Sequence, residues 1–306
     1  MSKHSYSGES FQKALQAAKA PTWKRQSLVS AGGIPRFAYK DVMANESDLH
    51  AWLSELDQVG LTLLTGAPIE RGIVSQLTHR VAYPRNTMYG MSWDVESIPN
   101  PNNVAYTSLQ LPLHADLCYY ESPPGVQLLH CIKFDQKTGG DNTFVDAFQV
   151  AMDLKEKDPD SFRVLAQVPT KFHKDDELHH LHYSHPIIEL TPHTQALKAI
   201  NWSPPFEGVQ CIPEQLVAPY YYARRVWSEL LNHPDYVMHH RLTPGEVVVF
   251  NNRRVLHARD AFDEKAGHRL LEGAYIGSDE WVERLRVLKR KYNPSSVIHD
   301  GSGFTL

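Results

Sequence analysis

The 306-residue chain has only three cysteines, Cys118, Cys131 and Cys211, and no two of them form a Cys-x-x-Cys pair. Such spacing builds neither a disulfide framework nor a structural zinc knuckle, so reduced thiols are expected. No apolar run approaches the ~20 residues that span a bilayer, and Met1-Ser-Lys-His-Ser-Tyr-Ser-Gly lacks the apolar stretch of a secretory signal. No membrane partner is therefore expected, and the cytoplasm is the expected location. Basic blocks are scarce as well: 31 Lys and Arg against 35 Asp and Glu leave a net charge of −4, which argues against nucleic acid as a partner. The basic cluster from Arg284 to Lys291 reads instead as the solvated side of a C-terminal helix. Internal repeats and low-complexity linkers are also missing. What is present, 42% apolar side chains over this length, suffices for one sizeable core.

Residues 1–30, rich in Ser, Gly, Lys and Pro, are expected to form a loosely held, flexible arm, followed by a single domain over 31–306. From Asn45, a plausible N-cap, the periodicity places Leu49, Trp52, Leu53 and Leu56 on one helical face. An apolar strand, Leu61 to Thr65, and a second helix, Ile73 to Val81, follow, whereas Tyr89 to Tyr106 is aromatic-rich without clean periodicity. From Val126 onward short β-rich runs recur between turn signals, the clearest late ones being Glu246 to Phe250 and Leu270 to Ile276. Helices are expected at about Phe148 to Glu156, Glu214 to Leu231 and Asp279 to Lys291, the last with Ser278 as cap. The pattern predicts a mainly β protein, a sandwich or jelly roll with flanking helices.

Three His-x-Asp pairs occur, and their contexts differ. His173-Lys-Asp175 opens a polar segment, and the irregular histidines from Asp176 to His185 read as a polar loop. His233-Pro-Asp235 carries a strand-breaking proline. Only His114-Ala-Asp116 follows a strand-like run, Leu109 to Leu113, and leads into another. Alone it reads better as ordinary hydrogen-bonded polar residues than as a ligand pair. The distal run Pro244 to His257, a turn, a buried strand and then a histidine, changes that balance. Two imidazoles and a carboxylate are the ligand set that holds iron(II) on one face and leaves the other open. Arg269, at the start of the next strand, could pair bidentately with an acidic cosubstrate, although by itself a surface salt bridge is the plainer reading.

Several longer blocks carry a resemblance. Tyr89-Gly-Met-Ser-Trp93, Asn102-Asn-Val-Ala-Tyr106, Pro123-Pro-Gly-Val-Gln-Leu-Leu-His-Cys-Ile-Lys133, Gly139-Gly-Asp141, Leu271-Glu-Gly-Ala-Tyr275 and Arg284-Leu-Arg-Val-Leu288 resemble the γ-butyrobetaine and trimethyllysine hydroxylases. These are iron(II)- and 2-oxoglutarate-dependent dioxygenases, and the likeness runs from about Leu49 to Lys291. It implies a double-stranded β-helix (jelly-roll) core, with His114, Asp116 and His257 as iron ligands and catalytic centre. Arg269 would hold 2-oxoglutarate, helped by Asn103, Lys133 and Asn142. The resemblance also implies dioxygen as the other cosubstrate, ascorbate as a stimulant, and a homodimer.

Tyr89, Trp93, Tyr106 and Tyr275 fall where the family builds an aromatic box for a trimethylammonium group. A quaternary ammonium donates no hydrogen bond, so ring faces must recognise it, at roughly 0.5–2 kcal/mol per ring. Two departures stand out. Larger family members carry an N-terminal zinc-binding domain, whose cysteines this chain lacks, so no such domain is expected. The family asparagine near the substrate's far carboxylate is replaced by Ser203, in Asn201-Trp-Ser-Pro-Pro205. γ-Butyrobetaine, which would give carnitine, is the leading substrate. Another quaternary-ammonium amino acid or phosphonate, a taurine- or alkyl-phosphonate-type oxygenation, and a non-catalytic metal-binding sensor are the alternatives.

Overall fold

The computed structural model of the protein describes residues 21–96, 108–135, 139–263 and 267–293. Two sheets face each other. The larger has six strands in the order β1 (Arg36–Ala38), β2 (Leu61–Thr65), β12 (Val247–Asn251), β5 (Val126–Phe134), β14 (Arg269–Ile276) and β3 (Trp93–Val95). The smaller has four, in the order β11 (Met238–His240), β6 (Asn142–Asp146), β13 (Val255–Arg259) and β4 (Leu111–His114). Apart from the parallel β1–β2 pair, the pairings are antiparallel, and neighbours distant in sequence give the crossed connectivity of a jelly roll.

Side-chain alternation divides β5 and β14 cleanly. Val126, Leu128, Ala274 and Ile276 face helices Glu46–Val59, Ile73–Val81 and Ser278–Tyr292, while Leu129, Cys131 and Leu271 face the smaller sheet. The first helix buries the expected face, Leu49, Trp52, Leu53 and Leu56. Asn45 stands at its N-cap position with extended backbone but makes no side-chain capping bond. Gly60 ends that helix at φ +76°, a left-handed conformation that glycine adopts without a Cβ penalty. A second layer of helices, Ala147–Lys157, Pro159–Gln167 and Glu214–Leu231, covers the other side around Leu154, Leu165 and Trp227. Helix Pro159–Gln167 escaped the periodicity, although Asp158 capping the Ser161 amide at 3.0 Å and proline in the first turn are its sequence signals.

Two expectations change. The histidine-rich stretch is a hairpin of β7 (Pro169–Asp175) and β8 (His180–Pro186), with His173 opposite His182 and Asp175 opposite His180. Thr170, Phe172 and Lys174 point inward while His173 and Asp175 face solvent, so a half-buried strand had the composition of a loop. A shorter hairpin, β9 (Ile188–Leu190) with β10 (Leu197–Ile200), follows it. The loose arm expected over 1–30 does not extend to its last ten residues. Trp23 is 5% exposed; its backbone amide donates to Asp146 and its indole N–H to the Val59 carbonyl. Asp146 in turn forms a fully buried pair with Arg254, whose guanidinium also donates to Pro21. Residues 1–20 lie outside the described residues. Among the described residues no helix is long and apolar enough to cross a membrane. Trp23→Ala should lower stability by roughly 3–5 kcal/mol, read as a shift of the urea midpoint; an unchanged midpoint would restore the loose arm.

Candidate active site

The register of the smaller sheet brings the two histidines together. His257 on β13 lies directly opposite His114 on β4, and their rings stand 4.1 Å apart between centroids. The His114 Nδ1–H donates to the Pro112 carbonyl at 2.8 Å, leaving Nε2 with its lone pair towards the site. Phe250 packs against the His257 ring at 4.8 Å.

Asp116 reaches the pair differently from a shared strand. β4 ends at His114, and the chain then turns through Leu117 at φ +60°, a conformation uncommon for a bulky residue. Asn252 holds this turn from across the molecule: its Oδ1 accepts from the Asp116 amide at 2.8 Å, and its Nδ2 donates to the Asp116 carbonyl at 3.0 Å and to Pro124 at 3.2 Å. The Ala115 amide donates to the Trp202 carbonyl at 2.7 Å. The aspartate's Oδ1 thus stands 3.1 Å from His114 Nε2 and 4.0 Å from His257 Nε2, and its Oδ2 accepts from the Tyr275 hydroxyl at 2.6 Å.

Among the described residues this is the one group of three or more His, Cys, Asp or Glu able to hold a metal, with ligating atoms all within 4.8 Å of one another. The protonation states suit a divalent cation. Burial pushes the His257 imidazolium down to about 3, and the neighbouring His114 adds to the effect. Burial alone would raise the Asp116 carboxyl, but its close contacts with His114, His257 and the Tyr275 hydroxyl hold it well below the usual carboxylate range. A neutral imidazole and an ionised carboxylate need lose no proton to bind a metal.

A cationic pocket lies two residues further along the smaller sheet, where Arg259 on β13 faces Asn142 on β6. Arg269, the inward-facing first residue of β14, is 4% exposed, and its Nη2 donates to Asn142 Oδ1 at 3.4 Å. Phe134 and Phe262 rings flank it at 5.6 and 6.0 Å. Burial and then the adjacent Arg259 charge lower Arg269 to about 9, so it stays protonated at neutral pH. Among the described residues no carboxylate forms an ion pair with it. A buried cation without an anion is costly, and a dicarboxylate cosubstrate would supply the missing partner. Arg259, buried and donating to the Leu109 carbonyl at 2.7 Å, was not foreseen, although it stands only two residues beyond His257.

Lys133 does not join this pocket. The β5–β14 register slips between Leu270, opposite Lys133, and Leu271, opposite Cys131. This bulge turns Phe134 inward opposite Arg269 and sends Lys133 outward, where it is half-exposed and pairs with Asp135 at 3.2 Å.

Three of the four aromatics expected to form a box stack beside the His114, Asp116 and His257 group. Tyr89 and Trp93 centroids are 5.9 Å apart, and Trp93 and Tyr275 are 4.3 Å apart. Gly273 makes the stack possible, since a Cβ there would lie 2.6 Å from Trp93 Cζ2. Tyr119, missed in the sequence, closes the group with its hydroxyl 3.3 Å from that of Tyr89. Ser203 is fully buried, with a hydroxyl that has no hydrogen-bond partner among the described residues, one residue beyond the Trp202 carbonyl that anchors Ala115. Asn103 and Tyr106 lie outside the described residues. A groove of about 570 Å³ lies along the smaller sheet at Pro112, Thr143 and Ala258, and none of these site residues lines it.

The sequence model of the taurine catabolism dioxygenase TauD, TfdA family matches residues 21–275. The chain belongs to this dioxygenase family. Within it, the chain is 34% identical to a gamma-butyrobetaine dioxygenase of Pseudomonas sp. (strain AK-1), covering 94% of this chain and 73% of the relative. It is 35% identical to the gamma-butyrobetaine dioxygenase of Homo sapiens, over 84% and 67% of the two chains. The mitochondrial trimethyllysine dioxygenase of Rattus norvegicus is 29% identical over 94% and 67%. Among solved structures, AAD-2 in complex with Mn(II) and N-oxalylglycine shares the fold at TM-score 0.62 and 12% identity, over 77% of this chain and 91% of that one. An asparagine oxygenase does so at 0.61 and 16%, over 89% and 92%.

Two substitutions test the TauD/TfdA site as drawn. Asn252→Ala should weaken Mn(II) binding by roughly 10–100-fold in a calorimetric titration, and wild-type affinity would show that the turn holds Asp116 without it. Arg269→Met should raise the melting temperature of the ligand-free protein, by removing an unpaired buried charge, while abolishing 2-oxoglutarate binding. A lowered melting temperature would mean that the guanidinium is satisfied within the protein.

Proposed function

We propose that the protein is an iron(II)- and 2-oxoglutarate-dependent dioxygenase that hydroxylates an unactivated C–H bond of a small trimethylammonium substrate, with γ-butyrobetaine, giving carnitine, as the leading candidate. The observation that carries this reading is the stack of Tyr89, Trp93 and Tyr275 beside the metal residues, Tyr275 itself touching Asp116 at 2.6 Å. Aromatic faces attract a permanent cation and give a sulfonate or phosphonate headgroup nothing to bind. The names of the relatives from Pseudomonas sp. and Homo sapiens support the same substrate class.

His114, Asp116 and His257 would hold the iron. Iron(II) and 2-oxoglutarate, when bound, supply the activation of dioxygen, one oxygen atom leaving in succinate beside carbon dioxide and the other entering the substrate. Arg269, with Asn142 beside it, would fix the distal carboxylate of 2-oxoglutarate and so orient its oxo acid end towards the triad. The box would hold the quaternary nitrogen, and the buried Ser203 hydroxyl would donate to a polar tail. Held at both ends, the substrate presents one carbon to the metal face, and position decides which C–H bond reacts. Asn103 and Tyr106 are retained in the cosubstrate and box sets on the resemblance alone. Free thiols at Cys118, Cys131 and Cys211 suit a reducing cytoplasm.

Succinate release across γ-butyrobetaine, trimethyllysine, a trimethylammonium phosphonate and taurine tests the assignment. Turnover is expected with quaternary amines and not with taurine. Trp93→Ala should raise KM for the preferred amine roughly 2- to 30-fold, the equivalent of 0.5–2 kcal/mol. Taurine turnover with an indifferent Trp93→Ala would overturn the quaternary-amine reading, and no oxygen uptake with any amine would favour a metal-binding sensor.

A further inference from the structure

Tyr275 belongs to both halves of the site. It lies on the inner face of β14, 1% exposed, with its ring against Trp93 and its hydroxyl on Asp116 Oδ2. The two carboxylate oxygens are thereby divided: Oδ1 faces the imidazoles, and Oδ2 is engaged by the phenol. A wall for a cation needs only the ring, which phenylalanine would supply. The hydroxyl therefore has a separate task.

We propose that Tyr275 couples the cation box to the metal centre: its hydroxyl is a positioning group that keeps Oδ1 of Asp116 turned to the metal, while the same ring forms a wall of the box. The inference rests on the box reading above and goes beyond it in making the two sites energetically dependent. A hydrogen bond to an ionised carboxylate is strong and directional, and it fixes the phenol oxygen in space. Because the ring is rigid, fixing the oxygen fixes the ring plane that a cation would meet. Seating a metal on Oδ1 immobilises Asp116 and so orders the ring, and a cation on the ring orders the hydroxyl and hence the carboxylate. Each ligand then meets part of the other's ordering cost, which gives positive and reciprocal linkage. Gly273 strengthens the connection, because Trp93 lies directly over its Cα and leaves the Tyr275 ring little room to swing.

The test uses the full chain, Mn(II) as metal probe and tetramethylammonium as a tail-less cation, with calorimetry and the Mn(II) electron paramagnetic resonance spectrum as readouts. In the wild type, saturating tetramethylammonium should tighten Mn(II) binding about fivefold. Tyr275→Phe keeps the ring and removes the donor. It should weaken Mn(II) binding about tenfold, bind tetramethylammonium in the metal-free state within about twofold of wild type, and lose the mutual enhancement. Tyr275→Leu should lose cation binding as well. Wild-type Mn(II) affinity and spectrum in Tyr275→Phe would overturn the positioning role, and the absence of any enhancement in the wild type would overturn the coupling. Equal cation binding by wild type and Tyr275→Leu would remove the box reading and the coupling with it. That failure is separate from a metal defect in Tyr275→Phe.

Discussion

The register between β13 and β4 is the constraint on which the site depends. His257 and His114 meet because antiparallel pairing sets them opposite each other, with Phe144 of β6 flanking His257 on its other side. A slip of one residue would turn His257 to the outer face and put Ala258 in its place. The hydrophobic alternation of both sheets resists such a slip, since Val255, Phe144 and Phe250 would lose their places in the layer between them. Packing energy spread over the sandwich is thus what holds the rings 4.1 Å apart.

Charge is the second constraint. The fold contains a buried pair that is satisfied, Arg254 with Asp146, and a buried guanidinium, Arg269, that is not paired with an acid among the described residues. The first ties residues 21–30 to the sandwich, through Pro21 and Trp23. The second is a standing cost that an anionic cosubstrate would relieve. The difference separates a structural ion pair from a binding residue more sharply than residue type does.

Irregular backbone places the remaining chemistry. The bulge in β5 exchanges Lys133 for Phe134 beside Arg269. The left-handed Leu117 and the Asn252 clamp turn Asp116 back over the histidines after its strand has ended. Gly273 leaves space for an indole. The bulge and the left-handed turn are local departures from regular geometry next to site residues, where such departures are retained for function.

The helices at Glu46–Val59, Ile73–Val81 and Glu214–Leu231 were legible in the chain, because helical periodicity reports a nearby and repeated interaction. So were the triad and Arg269, whose residue types are uncommon at the ends of apolar strands. By itself, the sequence determined the β-rich class and singled out His114, Asp116 and His257, which the fold gathers into one group. Tertiary structure alone decided that Lys133 faces solvent, that Asn252 and Tyr119 support the site, that the histidine-rich stretch is a hairpin, and that Trp23 is buried. The physical reason is range. Periodicity and capping act over a few residues, whereas a bulge, a cross-chain clamp or a hydroxyl on a carboxylate depends on pairings between segments far apart in sequence.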